Sequence, residues 1–237
     1  MIQSKYPKIN IVIDKDLDFV NAKGFLRYEK DMWFLRRFFP KKLHHILDTE
    51  FDTKKRNIII KEYLEDFYLK NNREIEINLK RTKEEWEKIE KEYFKLVDEI
   101  FDGYKWPDGE YKGVFSVFGM YPRWIDEKIF FLPCLYKPKN FSNGVIAHEM
   151  LHFLFFDFIK NKYKLNESSH IAGKEDKYVW KVSEVFNNVI LNSKKFRNLL
   201  KGRERPYPGT EDIFKKMTAQ WRVKKDMNWL LDDWLKK

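Results

Sequence analysis

Two histidines four residues apart, His148 and His152, lie in the run Val145-Ile146-Ala147-His148-Glu149-Met150-Leu151-His152-Phe153-Leu154. On a helix, residues four apart stack on one face, so both imidazoles can point at a single metal ion. Glu149 follows about a hundred degrees further round the same helix, within reach of a water on that metal without being a ligand. Two neutral imidazoles, a divalent ion and a carboxylate beside its water form the working parts of metal-assisted hydrolysis. The short pattern His-Glu-x-x-His also arises by chance, so the elements around it have to support the chemistry.

Between 145 and 154 the motif supplies the only ionisable side chains. A helix of that composition is expected to be buried, and a buried helix excludes water from a site. Its start is predicted near Ser142 or Asn143, either of which can cap it, and its end near 160. Upstream, 114–118 and 128–132 read as strands, the second stopped by Pro133. Downstream, 161–174 is polar and reads as a loop, followed by a helix over 175–191. Earlier elements are a β-branched strand at 9–13 and an aromatic and basic helix at 25–39 that ends at Pro40. A helix at 57–70 follows, then an alternating strand at 73–79 carrying Ile75, Ile77 and Leu79. Thr82-Lys83-Glu84-Glu85 is a capping box that opens a helix ending at Gly103. Two short helices, 210–223 and 226–236, close the chain.

The longer pattern resembles that of zinc metallopeptidases of the zincin type, which place Val or Thr three residues before the first histidine and uncharged residues around the motif. Val145, Met150, Leu151, Phe153 and Leu154 comply. The resemblance implies Zn²⁺ as cofactor, a peptide or protein substrate, and Glu149 as general base. It also implies a sheet whose edge strand, here 128–132, lines the cleft and pairs with extended substrate. A catalytic zinc takes three protein ligands and keeps one position open. Metzincins supply the third from a histidine six residues past the motif, with a glycine three residues past it; here those places hold Phe158 and Phe155, which excludes that branch. The remaining candidates are a carboxylate or His170. Glu184, mid-helix in Trp180-Lys181-Val182-Ser183-Glu184-Val185-Phe186-Asn187-Asn188, is preferred, with Glu175 and His170 as rivals. In gluzincins the ligand glutamate is followed four residues on by an acid, usually Asp, that hydrogen-bonds a ligand histidine. Glu184 and Asn188 resemble that pair, except that an uncharged amide stands at 188. The same resemblance implies an oxyanion stabiliser, for which His170 and Tyr207 are candidates. The expected fold class is thus α+β and helix-rich: a zincin-like core with a small β-sheet, the motif helix and a following glutamate helix. Its expected organisation is an N-terminal region 1–105, a catalytic core 106–200 and a C-terminal helical segment 201–237.

Composition sets the outer limits. With 43% hydrophobic and 17% aromatic residues in 237, the chain can build a core and is not of a disordered type. Residues 1–7 lack the apolar core of a signal peptide, and no uncharged run reaches membrane-spanning length. One cysteine, Cys134, allows no internal disulfide, which fits a reducing compartment and a cytoplasmic location. The net charge of +10 and the aromatic-basic stretch 25–42 motivate a second reading, a protease associated with DNA, whose binding would fall steeply with salt. A third is a non-enzymatic interaction module, its metal structural or absent, which would unfold on chelation and hydrolyse nothing. Segment 203–237 is also placed to occupy the cleft as an inhibitor, an idea that truncation near Gly202 tests.

Overall fold

The computed structural model describes residues 5–27, 32–48, 50–135 and 138–236, with the side chains of 32 and 33 left aside. In chain order the elements are β1 (Ile9–Val12), α1 (Lys15–Leu26), α2 (Met32–Leu35), a 3-10 helix (Lys41–Ile46), α3 (Thr53–Lys70), α4 (Asn72–Glu87) and α5 (Glu90–Ile100). Then come β2 (Tyr111–Ser116), β3 (Arg123–Trp124), β4 (Ile129–Pro133), α6 (Phe141–Tyr163), α7 (Tyr178–Leu191), α8 (Lys194–Leu200), α9 (Glu211–Val223) and α10 (Met227–Leu235). The fold is helix-rich with one small mixed sheet, an α+β arrangement.

The chain divides into two compact units. One holds Lys8–Glu84 and Glu110–Ser142; the other holds Met1–Pro7, Glu85–Gly109 and Asn143–Lys237. Each unit therefore draws on residues from both sides of position 105. In the first unit the sheet runs in the order β1-β2-β4-β3. β1 and β4 both pair with β2 in parallel, and β3 runs antiparallel to β4. The strand expected at the sheet edge, 128–132, is instead internal, with Phe130 opposite Gly113 on one side and Arg123 on the other. Its residues Phe130, Phe131 and Leu132 are fully buried, as a parallel strand covered on both faces requires. The two-residue β3 takes the edge.

Three further expectations are corrected. Segment 73–79 is helix, not strand, and belongs to α4. Its inward residues are Ile75, Asn78, Thr82 and Trp86, a line at helical spacing, whereas Ile77 is 60% exposed. Thr82 therefore sits inside a helix rather than capping one, and the chain breaks at 88–89 before α5. The helix expected over 25–39 is not continuous either: α1 ends at Leu26, 28–31 lie outside the described residues, and α2 stops at Leu35. Beyond it Phe39 and Leu43 are buried while Arg36, Arg37, Lys41 and Lys42 face solvent. Phe39 is core, Phe38 is half-buried and Phe34 is exposed, while the cations are solvated. α1 itself has a local cause: Asp14 accepts from the Leu17 N–H at 3.0 Å, and Asp16 and Asp18 fall in its first turn.

The second unit packs α5, α6, α7 and the C-terminal helices around an aromatic core. Phe155 meets Phe186 at 5.1 Å between ring centres, and Phe101 touches both Phe158 and Phe186. α9 packs on α7 and α8 on α5. α7 is buried nearly all round, from Tyr178 through Leu191 with the exception of Trp180 and Lys181. Burial on every side makes a polar residue on α7 one that must be partnered. Among the described residues no helix is long and apolar enough to cross a membrane.

Candidate metal centre

α6 runs from Phe141 to Tyr163, longer at both ends than its apolar run suggests, and Ser142 and Asn143 lie inside its first turn. Two donors from neighbouring helices grip consecutive carbonyls at its middle. The Tyr93 hydroxyl, from α5, donates to the Ala147 carbonyl at 2.7 Å. The Asn187 amide, from α7, donates to the His148 carbonyl at 2.9 Å. The motif is thus held from two sides at Ala147 and His148.

His148, His152 and Glu184 converge, each offering one donor atom, with all three atoms within 4.8 Å of one another. The His148 and His152 Nε2 atoms are 3.0 Å apart. Glu184 places Oε2 at 3.1 Å from His148 Nε2 and Oε1 at 3.4 Å from His152 Nε2. Donors about 2.0–2.1 Å from a tetrahedral ion stand roughly 3.3 Å apart, so these separations, taken over both Glu184 oxygens, are of the size a zinc ion needs. Its donor types fit as well. Glu184 is 1% exposed and His152 0%, so an ionised carboxylate here needs a cation or a proton among these atoms.

The other nitrogen of His148 is also engaged. Nδ1 lies 2.9 Å from Oε2 of Glu204, a residue in the segment between α8 and α9. Burial pushes the His148 imidazole toward its neutral form, but Glu204, Glu184 and Glu149 together outweigh burial and hold its pKa well above the ordinary imidazole value. The carboxylates that favour a proton on His148 favour a metal cation between the ligand atoms for the same electrostatic reason. Glu149, 6% exposed, adds to that field from the next position on α6.

The remaining candidates fall elsewhere. Glu175 is exposed in the 164–177 loop and pairs with Lys181, and His170 is exposed in the same loop; neither joins the cluster. Tyr207 is 47% exposed, its ring 5.6 Å from that of Trp180. Asn188 does not accept from an imidazole. Its amide nitrogen donates to the Glu184 carbonyl at 3.0 Å and reaches Glu204 Oε2 at 3.4 Å, and its oxygen has no hydrogen-bond partner among the described residues. A carboxylate binds an imidazole N–H more strongly than an amide does, and here Glu204 supplies that carboxylate. Sequence reasoning missed Glu204: it sits 56 residues from His148, between Arg203 and Arg205, and looks like one more solvated charge.

No family model matches the chain, nor does any curated protein or any solved structure.

Proposed function

We propose that this chain is a zinc-dependent metallopeptidase of the gluzincin type. The observation that carries the reading is the buried cluster of His148, His152 and Glu184, in which the two Nε2 atoms lie 3.0 Å apart and the two Glu184 oxygens lie 3.1 Å from His148 Nε2 and 3.4 Å from His152 Nε2. Three ligands rather than four among the described residues leave a coordination position open, the mark of a catalytic rather than a structural zinc. A structural site would draw on cysteines, and the chain has only Cys134, in the sheet-containing unit. When bound, the ion supplies Lewis-acid chemistry, polarising the scissile carbonyl and acidifying its water.

The chain's own residues do the rest. His148 and His152 present Nε2 lone pairs from one face of α6, and Glu184 brings the charge that makes the donor set anionic. Glu149, on the same helix and outside the ligand set, takes a proton from the attacking water and returns it to the leaving amine. The aromatic walls of α6 and α7 keep bulk water away, which strengthens each of these interactions.

The test is zinc content beside peptide hydrolysis. Wild type is expected to hold one zinc per chain. His152→Ala and Glu184→Gln lose it, whereas Glu149→Gln keeps it and turns over substrate about 10²–10⁴-fold more slowly. A folded wild type without stoichiometric zinc would sink the reading. A wild type that binds zinc yet hydrolyses no peptide in a broad library would leave a metal centre without this activity.

A further inference from the structure

The carboxylate that meets His148 Nδ1 comes from outside the two helices that carry the ligands. Glu204 belongs to the strap 201–210, which is exposed at Lys201, Gly202, Arg203, Arg205 and 207–209 and becomes buried at Thr210. Glu204 is gripped three times, once by Asn188 of α7 and twice by Asn192, the residue that caps the helix. Asn192 Oδ1 accepts from the Glu204 backbone N–H at 3.1 Å, and Asn192 Nδ2 donates to the Glu204 carbonyl at 3.0 Å. One turn earlier, Asn188 Nδ2 reaches the carboxylate itself. Two asparagines four residues apart thus hold both the backbone and the side chain of a single strap residue.

The chemical consequence lies at His148. A neutral imidazole carries its proton on one nitrogen, and which one is set by what the other faces. An ionised carboxylate can only accept, so Glu204 keeps the proton on Nδ1 and leaves the Nε2 lone pair aimed at His152 and Glu184. We propose that Glu204 is the positioning residue of this centre, and that seating of the 201–210 strap on Asn188 and Asn192 is coupled to retention of the cation. The proposal rests on the metal-centre reading. It also gives Asn188 a purpose: an acid at that position would place a second carboxylate against Glu204, whereas the amide donates to it. Because the coupling is reciprocal, a bound cation must also steady the strap.

The experiment uses the full chain and zinc alone, with two readouts. Zinc affinity is measured by competition with a chromophoric chelator for wild type, Glu204→Gln and Asn192→Ala. In parallel, the rate of trypsin cleavage after the exposed Arg203 is followed with and without zinc. Glu204→Gln is expected to weaken zinc binding about 10–100-fold. Asn192→Ala weakens it in the same direction although its side chain meets Glu204 only through the backbone. Zinc slows cleavage after Arg203 in wild type, and this protection is lost in Glu204→Gln. Thermal unfolding of the zinc-free proteins separates this from a merely structural role, which would lower the zinc-free transition and leave affinity alone. Equal zinc affinity in wild type and Glu204→Gln, or a cleavage rate at Arg203 indifferent to zinc, overturns this proposal and leaves the centre standing. A wild type that binds no zinc overturns both.

Discussion

Asp18 is the most deeply buried acid of the sheet-containing unit, fully enclosed at the C-terminal end of β2. It accepts from the Ser116 hydroxyl at 2.6 Å, the Val117 N–H at 3.0 Å and the Tyr68 hydroxyl at 3.0 Å. Burial pushes its carboxyl up to about 6, further than those three donors pull it down. Because the folded-state value lies above the unfolded one, the native state binds the proton more tightly. The associated stability is fully present below about pH 4 and is lost as pH rises to about 6, a change of ~3 kcal/mol. Asp18→Asn is therefore expected to flatten the stability profile between pH 4 and 6, seen by urea unfolding at several pH values. Parallel profiles for wild type and variant would show that Asp18 ionises as it does in the unfolded chain. At this scale the centre divides into what the sequence shows and what it hides. His148, His152 and Glu149 announce themselves because their spacing matches a helix turn, and Glu184 because a mid-helix acid flanked by apolar residues needs a partner. Glu204 carries no such local signature. Its meaning comes from the fold alone, which brings a loop residue against α6 and α7.

The elements show why one short pattern misleads. Ile75, Ile77 and Leu79 alternate as a strand would, but Ile75 and Leu79 are also four apart, and three residues cannot separate the two periods. The longer line through Asn78, Thr82 and Trp86 settles it for a helix, with Asn78 donating to the carbonyls of Pro133 and Cys134 at the end of β4. A direct comparison follows. Ile75→Ala should cost about 2–4 kcal/mol, since the side chain is fully buried, whereas Ile77→Ala should cost under about 0.5 kcal/mol. Thermal or urea denaturation of the two variants distinguishes them, and similar losses from both would restore the strand. The parallel pairing of β2 with β4 was equally hidden, because only tertiary context tells a parallel pair from a hairpin when the connection contains its own short strand. α1, by contrast, left a signal in Asp14 and the acids of the first turn that a capping-based reading could have used.

For the whole molecule, the C-terminal helices are part of the packed interior of their unit. Met217 and Trp221 of α9 and Leu230, Leu231 and Leu235 of α10 are buried, and α9 packs along α7, the helix that carries Glu184. Each such side chain contributes about 1.5–3 kcal/mol when fully buried, and together they match a typical domain's entire stability margin of about 5–15 kcal/mol. Truncation at Gly202 removes them along with Glu204. The expected outcome is loss of the cooperative thermal transition of that unit and loss of zinc, not a gain in activity. A truncated chain that folds and hydrolyses peptides faster than wild type would establish the inhibitory role.

Tyr93 and Asn187 hold the Ala147 and His148 carbonyls from two different helices, so α6 can neither slide along its axis nor rotate without breaking both bonds. α6 is a fixed rail, whereas the strap 201–210, exposed along most of its length, meets it through Glu204. An ion held at the proposed centre would then have a local route to solvent that bypasses unfolding of the core. Its exchange would then be expected on the microsecond-to-second scale of segment opening rather than on that of the far slower loss of the whole unit.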